Sequence, residues 1–257
     1  MHRRFTTSDG TDIRFADHGS GPPLLLLHGF GGTGDDFVHV FDVEALTRSF
    51  RLIVPDARGH GGSTNPTGTF TFRRCAEDVA ELLGHLRVEP LRAVGVSLGA
   101  KTLLHVATRY PALVERMVLV SAAPRFPEPT RALMRAAAAA AHSAEEWATM
   151  RAKHLHGDAQ IEALFRLPSG FADDTTDMCF TAEQLARIQT PTFIVAGESD
   201  PLYPLELSEE LRAIPRCAFW VVPGGGHSPI FETARDEFRR RALEFLSAPI
   251  RVERPET

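Results

Sequence analysis

Hydrophobic residues follow two different patterns along this chain. In the first twenty residues, an Asp9-Gly10 turn separates two short segments, and the second alternates apolar and polar positions at Ile13 and Phe15, which predicts a β-hairpin. After it, continuous apolar runs of strand length alternate with segments of helix length. These runs are residues 24–28, 51–55, 92–96, 116–121, 192–197 and 217–222. Because such runs suit strands that are covered on both faces, they predict an α/β fold with a mostly parallel central sheet and helices on both faces.

One connection between these runs is much longer than the others. Residues 124–189 separate the fourth run from the fifth, and we expect them to form a helical lid on a core of residues 1–123 and 190–257. Four helices are predicted there, from a stretch at 130–141, a capping box of Ser143 and Glu146, a stretch at about 159–167, and a capping box of Thr181 and Gln184. The polar, proline-interrupted tail after Leu246 is predicted to fray.

Two of the predicted lid helices have an apolar face. These faces consist of Trp147, Met150 and His154 in the second helix, and Ile161, Leu164 and Phe165 in the third. We expect both faces to pack against the core, and a lid can also contact substrate with the same residues.

The composition limits the classes of partner that we expect this protein to bind. A chain of 257 residues with 43% hydrophobic content is long enough for one large α/β domain with an insertion. Its net charge is -5, and Lys and Arg are scattered along the sequence. We therefore expect neither nucleic acid nor a membrane surface as a partner, but a small-molecule substrate.

The cysteines and the apolar segments indicate a cytoplasmic protein. Cys75, Cys179 and Cys217 are odd in number and widely spaced, which fits neither a disulfide framework nor a zinc site, so we expect reduced, mostly buried thiols. The basic start of the chain has no apolar segment behind it, and the alanine run at 136–141 is too short to cross a bilayer.

A serine lies in a distinctive turn after the third apolar run. Gly95-Val96-Ser97-Leu98-Gly99 matches G-x-S-x-G at the end of a predicted strand and the start of a predicted helix. In such a sharp turn the serine is exposed, bulky neighbours would strike the adjoining backbone, and the helix N-terminus points at charge forming near the serine. The pattern by itself also fits a tight turn with an ordinary serine.

An acid and a histidine follow the last two apolar runs. A serine hydroxyl needs a base to become a nucleophile, and the base needs a carboxylate to orient it. Asp200 comes directly after the fifth run, and His227 follows the sixth in a glycine-rich loop. Glu198 is a rival for the acid, but the G-x-x-D spacing from Gly197 favours Asp200.

Over nearly its whole length the chain resembles the α/β-hydrolases that carry a lid. The resemblance rests on HGFGG at 28–32, D-x-R-G-H-G-x-S at 56–63, the serine turn, G-x-x-D at 197–200 and GGH at 225–227. It implies Ser97 as the nucleophile, His227 as general base and then acid, and Asp200 as the residue that orients His227. It also implies an oxyanion hole made by the backbone N–H groups of Phe30 and Leu98.

The reaction that we expect is hydrolysis of a small to medium carboxylic ester through an acyl-enzyme on Ser97, without a metal or cofactor. An apolar substrate portion is suggested by four aromatic residues in the lid segment, Phe126, Trp147, Phe165 and Phe171. Relatives that the chain resembles also include lactonases, thioesterases, carbon–carbon bond hydrolases and perhydrolases. A receptor-like binder with slow turnover is a further alternative, because the fold also serves recognition.

The loop HGFGGTG raises a third alternative. Gly29, Gly31 and Gly34 match the G-x-G-x-x-G pattern of dinucleotide-binding proteins, and Asp56 follows at about the distance of a ribose-binding acid. The loop follows a strand that a hairpin precedes, however, and it shares the chain with the serine turn, acid and histidine. We therefore expect its N–H groups to serve a transient oxyanion near Phe30.

The remaining polar residues of the motifs are expected to have structural roles. His28 is predicted to support the oxyanion loop, and Asp56, Arg58 and His60 to build a turn through hydrogen bonds and ion pairs. His154 and His156 lie too close together, without further ligands, to predict a metal site.

Overall fold

A central sheet organises residues 2–88 and 90–248, the part of the chain that the computed structural model describes. Across these ranges the strands are β1 (His2–Thr6), β2 (Asp12–His18), β3 (Pro23–Leu27), β4 (Arg51–Pro55), β5 (Leu91–Val96), β6 (Val114–Val120), β7 (Thr192–Gly197) and β8 (Cys217–Val222). Their order in the sheet is β1-β2-β4-β3-β5-β6-β7-β8. β1 pairs with β2, and β2 with β4, in antiparallel fashion, whereas all the other neighbours are parallel. The predicted hairpin and mostly parallel sheet are thus confirmed.

Helices connect these strands. Within the described ranges they are α1 (Val43–Thr47), α2 (Phe72–Leu86), α3 (Leu98–Arg109), α4 (Glu128–Ala139), α5 (Ala144–Lys153), α6 (Asp158–Asp173), α7 (Ala182–Ala186), α8 (Leu205–Glu209) and α9 (Arg235–Ser247). Ser143 caps α5 and Thr181 caps α7, each in a reciprocal capping box, as predicted. Most of the tail for which fraying is predicted lies in 249–257, outside the described residues.

The leucines of β3 show that both faces of the sheet are covered. Leu25 and Leu27 belong to the apolar cluster that includes α2 and α3, whereas Leu24 and Leu26 belong to the cluster that includes Phe238 of α9. Because successive side chains of a strand point to opposite faces, a continuous apolar run fits this position. The core therefore has two layers, one on each side of the sheet.

Helices α4 to α7 occupy the predicted lid segment, between β6 and β7. A backbone bridge joins Arg125, at its start, to Cys179, ten residues before its end. Near its end, Leu185 and Ile188 are buried in the same apolar cluster as the core. The division of the chain into a core and a lid remains a prediction.

Helix α6 is longer than predicted and continues through Pro168 to Asp173. Proline normally disrupts a helix, but tertiary contacts hold the last turn here. Phe171 and Ala172 are buried, and the buried guanidinium of Arg131 donates hydrogen bonds to the carbonyl groups of Ala172 and Asp174 at 2.5 and 2.8 Å. Sequence periodicity could not show this contact, because Arg131 lies in α4.

The cysteines depart from the expectation of mostly buried thiols. All three are free, but only Cys75 is buried, whereas Cys217 is partly buried and Cys179 is exposed. Cys217 begins β8, which lies at the sheet edge, so one of its sides lacks a neighbouring strand. Among the described residues, no helix is both long and apolar enough to span a membrane.

Candidate active site

Ser97 lies in a strained turn between β5 and α3. Its backbone has φ 49° and ψ -101°, a conformation that is costly for a residue with a side chain. The turn requires small neighbours, as predicted: a Cβ on Gly95 would lie 2.5 Å from the backbone of Gly99, and one on Gly99 would lie 2.1 Å from the carbonyl oxygen of Leu27. Close packing of glycine backbones thus holds the serine at the carboxyl end of the sheet.

The structure places His227 and Asp200 beside this serine. His227 Nε2 lies 2.9 Å from Ser97 Oγ, and His227 Nδ1 lies 2.7 Å from Asp200 Oδ2. Because a carboxylate can only accept, Nδ1 carries the hydrogen and Nε2 is left to accept from the serine hydroxyl. The other oxygen of Asp200 accepts the backbone N–H groups of Leu202 and Tyr203, which fix the carboxylate plane.

Short contacts between two loops bring the histidine to this position. A Cβ on Gly197 would lie 2.2 Å from the carbonyl oxygen of Gly226, so the glycine lets the histidine loop approach the end of β7. Glu198, the rival acid in the sequence, accepts the backbone N–H of Gly224 at 2.7 Å. It therefore anchors the histidine loop, and Asp200 is the carboxylate that contacts His227.

Two backbone N–H groups near Ser97 are unengaged. Within the described ranges, neither the Phe30 nor the Leu98 N–H donates a hydrogen bond, and both residues line the cavity that contains Ser97. His28 supports this region as predicted, since its Nδ1 lies 2.7 Å from the Gly29 carbonyl oxygen and its Nε2 accepts the Ala57 N–H. Burial lowers the pKa of His28, which favours the neutral ring that these two hydrogen bonds require.

A cavity of about 240 Å³ lies over the serine, between the sheet and the inserted helices. Its walls are mostly apolar and come from Phe72 of α2, Phe126, Met134 of α4, and Pro168 and Phe171 of α6. Phe126 and Phe171, two of the four aromatic residues named from the sequence, are among the residues that line it. This environment suits a small organic molecule with an apolar portion.

Trp147 and Phe165 do not line the cavity over Ser97, contrary to the expectation. Phe165 stacks on His142 with ring centroids 3.5 Å apart, and Trp147 packs edge-on against Phe165. Both rings thus serve contacts between the helices of the insertion. Which of the four aromatic residues turns towards Ser97 depends on how these helices pack together.

Residues 24–241 match the model of the alpha/beta hydrolase family. The chain belongs to this family. This confirms the resemblance that the sequence motifs indicate.

This alpha/beta hydrolase is similar to several proteins that carry different names. It is 30% identical to the magnesium-chelatase 30 kDa subunit of Rhodobacter capsulatus, over 88% of this chain and 87% of that protein. A 36% identical match to an uncharacterized protein of Mycobacterium tuberculosis covers 46% of this chain and 34% of that protein's length. The structure of a hydrolase from Pseudomonas aeruginosa PA01 superposes with a TM-score of 0.79 at 28% identity, covering 96% of this chain and 98% of that one.

The polar motif at 56–63 of this alpha/beta hydrolase has a structural role. Asp56 accepts the N–H groups of Gly34 and Gly62, both at 2.9 Å, and pairs with Arg14 at 2.7 Å. Arg58 is fully buried and makes two 2.7 Å hydrogen bonds to Asp78. Because the carboxylate of Asp56 already accepts a hydrogen bond from the backbone of Gly34, the glycine loop and this acid do not form a ribose-phosphate site.

The histidines at the end of α5 connect the insertion to the core. Nδ1 of His154 accepts the Gly61 N–H at 2.8 Å, and Nε2 of His156 lies 3.1 Å from the Gly62 carbonyl oxygen. Burial lowers the pKa of His154 to about 4, so the ring is neutral as this acceptor role requires. Among the described residues, no group of three or more His, Cys, Asp or Glu side chains is placed to hold a metal ion.

Sequence reasoning missed two polar residues of the cavity, Lys101 and Tyr203. Lys101 Nζ lies 2.9 Å from Tyr203 Oη and 3.5 Å from Ser97 Oγ, and both side chains are buried. A signal for Lys101 exists in the sequence, because a residue four positions after Ser97 lies on the same face of α3. Tyr203 has no such signal, since it follows β7, far along the chain.

Proposed function

We propose that this protein is a serine hydrolase that cleaves a small to medium carboxylic ester. The observation that carries the proposal is the continuous contact from Asp200 through His227 to Ser97, at a strained turn that opens into an apolar cavity. An isolated serine would need none of these features, whereas nucleophilic catalysis needs a base at hydrogen-bond distance and a carboxylate that orients it.

The proposed reaction has two steps. In the first, His227 Nε2 takes the hydroxyl proton of Ser97 while Oγ bonds to the ester carbonyl carbon; the same proton then passes to the alcohol oxygen as the carbon–oxygen bond breaks. In the second, His227 takes a proton from a water molecule while the water oxygen attacks the carbonyl carbon of the acyl-enzyme. His227 then gives that proton to Ser97 Oγ as the acid leaves. The N–H groups of Phe30 and Leu98 would stabilise the oxyanion in both steps, each by a few kcal/mol.

The experiment combines a fluorophosphonate probe with chromogenic esters of increasing acyl length. We expect the probe to add to Ser97, by intact mass and peptide mapping, and Ser97→Ala to lower kcat by roughly 10⁵-fold or more. Ser97→Ala and His227→Ala should each abolish labelling by the probe. Ser199→Ala is the matched control, because its side chain is exposed and it should leave labelling and turnover unchanged.

A folded protein that neither reacts with the probe nor hydrolyses any ester would contradict the proposal. Tight binding of a small molecule without turnover would favour the receptor-like alternative. If esters react, the acyl length at which kcat/KM falls measures how far the cavity extends from Ser97 towards α4 and α6.

A further inference from the structure

Lys101 is a buried lysine beside the nucleophile. It is 2% exposed, lines the cavity over Ser97, and reaches that cavity from the first turn of α3. Its hydrogen-bond partners within the described ranges are the hydroxyl groups of Tyr203 and Ser97. No carboxylate of the described residues pairs with it.

Three aromatic rings surround the ammonium group. Nζ lies 4.7 Å from the ring centroid of Tyr203, 5.5 Å from that of Phe72 and 5.8 Å from that of Phe126. Such rings stabilise a cation without neutralising it. The nearby carboxylate of Asp200 is already engaged by His227 and by two backbone N–H groups. When Lys101 is protonated, the cavity therefore holds a positive charge whose counter-charge the described part of the chain does not supply.

A buried charge without a partner is costly, and a charged ligand that pairs with it recovers part of that cost. We infer that Lys101 is a specificity-determining residue that binds a carboxylate of the substrate, so that the preferred ester is a monoanion. This inference rests on the proposed serine hydrolase function.

Distances limit where that carboxylate lies in the substrate. Lys101 Nζ is 3.5 Å from Ser97 Oγ, and a charge-assisted hydrogen bond to a carboxylate adds roughly 2.8 Å, so the carboxylate oxygen lies within about 6 Å of the nucleophile. A carboxylate a few bonds from the scissile carbonyl satisfies this limit. Such substrates include monoesters of short dicarboxylic acids and acyl esters of short hydroxy acids.

The test compares two pairs of esters in which a carboxylate replaces an isopropyl group of similar shape. The first pair is monoethyl succinate and ethyl 4-methylpentanoate, in which the carboxylate of the anion lies on the acyl side of the ester. The second pair is butanoyloxyacetate and isobutyl butanoate, in which the carboxylate of the anion lies on the alcohol side. For one pair at least, we expect kcat/KM to be higher for the anion, and the pair that shows the preference assigns the side.

Lys101→Met keeps the length of the side chain and removes its charge. We expect it to lower the anion-to-neutral ratio of kcat/KM by between about 10-fold and 150-fold. The ratio is the readout because a general disturbance of Ser97 or His227 affects both members of a pair. Tyr203→Phe should retain the preference, since it removes only the hydroxyl partner. Lys101→Gln provides a second neutral variant if Lys101→Met does not fold.

A binding measurement separates failure of this inference from failure of the proposed function. Calorimetry on the Ser97→Ala protein should detect binding of monoethyl succinate or of butanoyloxyacetate, and Ser97→Ala with Lys101→Met should lose it. Probe labelling of Ser97 with neutral-ester turnover, but no anion preference in either pair, would overturn the role of Lys101 alone. If no ester is cleaved, binding of either monoanion that requires Lys101 still supports the anion site, and absence of binding for both refutes it.

Discussion

His227 Nδ1 lies 2.7 Å from Asp200 Oδ2, while the neighbouring Glu198 contacts the backbone N–H of Gly224 instead. The two carboxylates are two residues apart, yet only one is in contact with the imidazole. The backbone N–H groups of Leu202 and Tyr203 hold Asp200 in this orientation. This difference allows a matched comparison of two conservative substitutions.

Asp200→Asn should lower kcat for a neutral chromogenic ester by roughly 10³- to 10⁴-fold, because the amide no longer enforces the tautomer with a proton on Nδ1. Glu198→Gln should change kcat only slightly, since the amide oxygen can still accept from Gly224. Steady-state kinetics on both variants makes the comparison. Similar losses in the two variants would show that Asp200 has no special role.

Gly99→Ala should destabilise the protein by about 3 kcal/mol or more, because its Cβ would lie 2.1 Å from the Leu27 carbonyl oxygen and the backbone must move. Gly84→Ala is the matched control: it lies in α2, where a Cβ would meet nothing within 4 Å. That variant should gain about 0.5–1 kcal/mol. Urea unfolding of both proteins measures the difference, and equal stabilities would contradict the proposed close packing at the turn.

Arg58→Met should cost about 3 kcal/mol, because it removes both short hydrogen bonds to the buried Asp78 and leaves that carboxylate only Arg74, at 3.6 Å. Arg151→Met makes the same change at the exposed pair with Asp158, where solvent screens the charges, and should leave the unfolding midpoint unchanged. Thermal unfolding of the two variants provides the comparison. An unfolding midpoint for Arg58→Met as high as that for Arg151→Met would show that the buried pair contributes little to stability.

Lys101→Met should stabilise the fold, most strongly at low pH. Burial lowers the pKa of Lys101 from 10.5 to about 7, although the charge of Asp200 partly opposes this. Since the pKa is lower in the folded state, the cost of burying Lys101 is complete below about pH 7, shrinks as the pH rises, and disappears above 10.5. We expect a gain of about 2–4 kcal/mol near pH 6 and little gain near pH 10.

Urea unfolding of the native chain and of Lys101→Met at both pH values tests this expectation. Equal stability of the two proteins near pH 6 would mean that the ammonium is adequately solvated, and the reason for expecting an anionic ligand would weaken. If Lys101→Met stabilises the protein and also removes the preference for anionic esters, Lys101 lowers the stability of the fold but serves its function.

Local rules made much of the site predictable from sequence. The strained turn at Ser97 admits only very small residues at Gly95 and Gly99, so the spacing of these two glycines around the serine, between a predicted strand and a predicted helix, indicates the turn. Asp200 and His227 follow strand-like runs, and the carboxyl ends of parallel strands meet at one edge of a sheet. Position along the chain therefore determined where the three side chains would gather.

Tertiary packing alone decided the walls of the cavity and the surroundings of Lys101. Phe72, Phe126 and Tyr203 come from α2, the inserted segment and the loop after β7, and they meet around one ammonium group only when those elements pack together. Trp147, an expected wall of the cavity, packs within the insertion instead. Helical periodicity tells which residues share a face, whereas the direction of that face depends on contacts between residues that are distant in sequence.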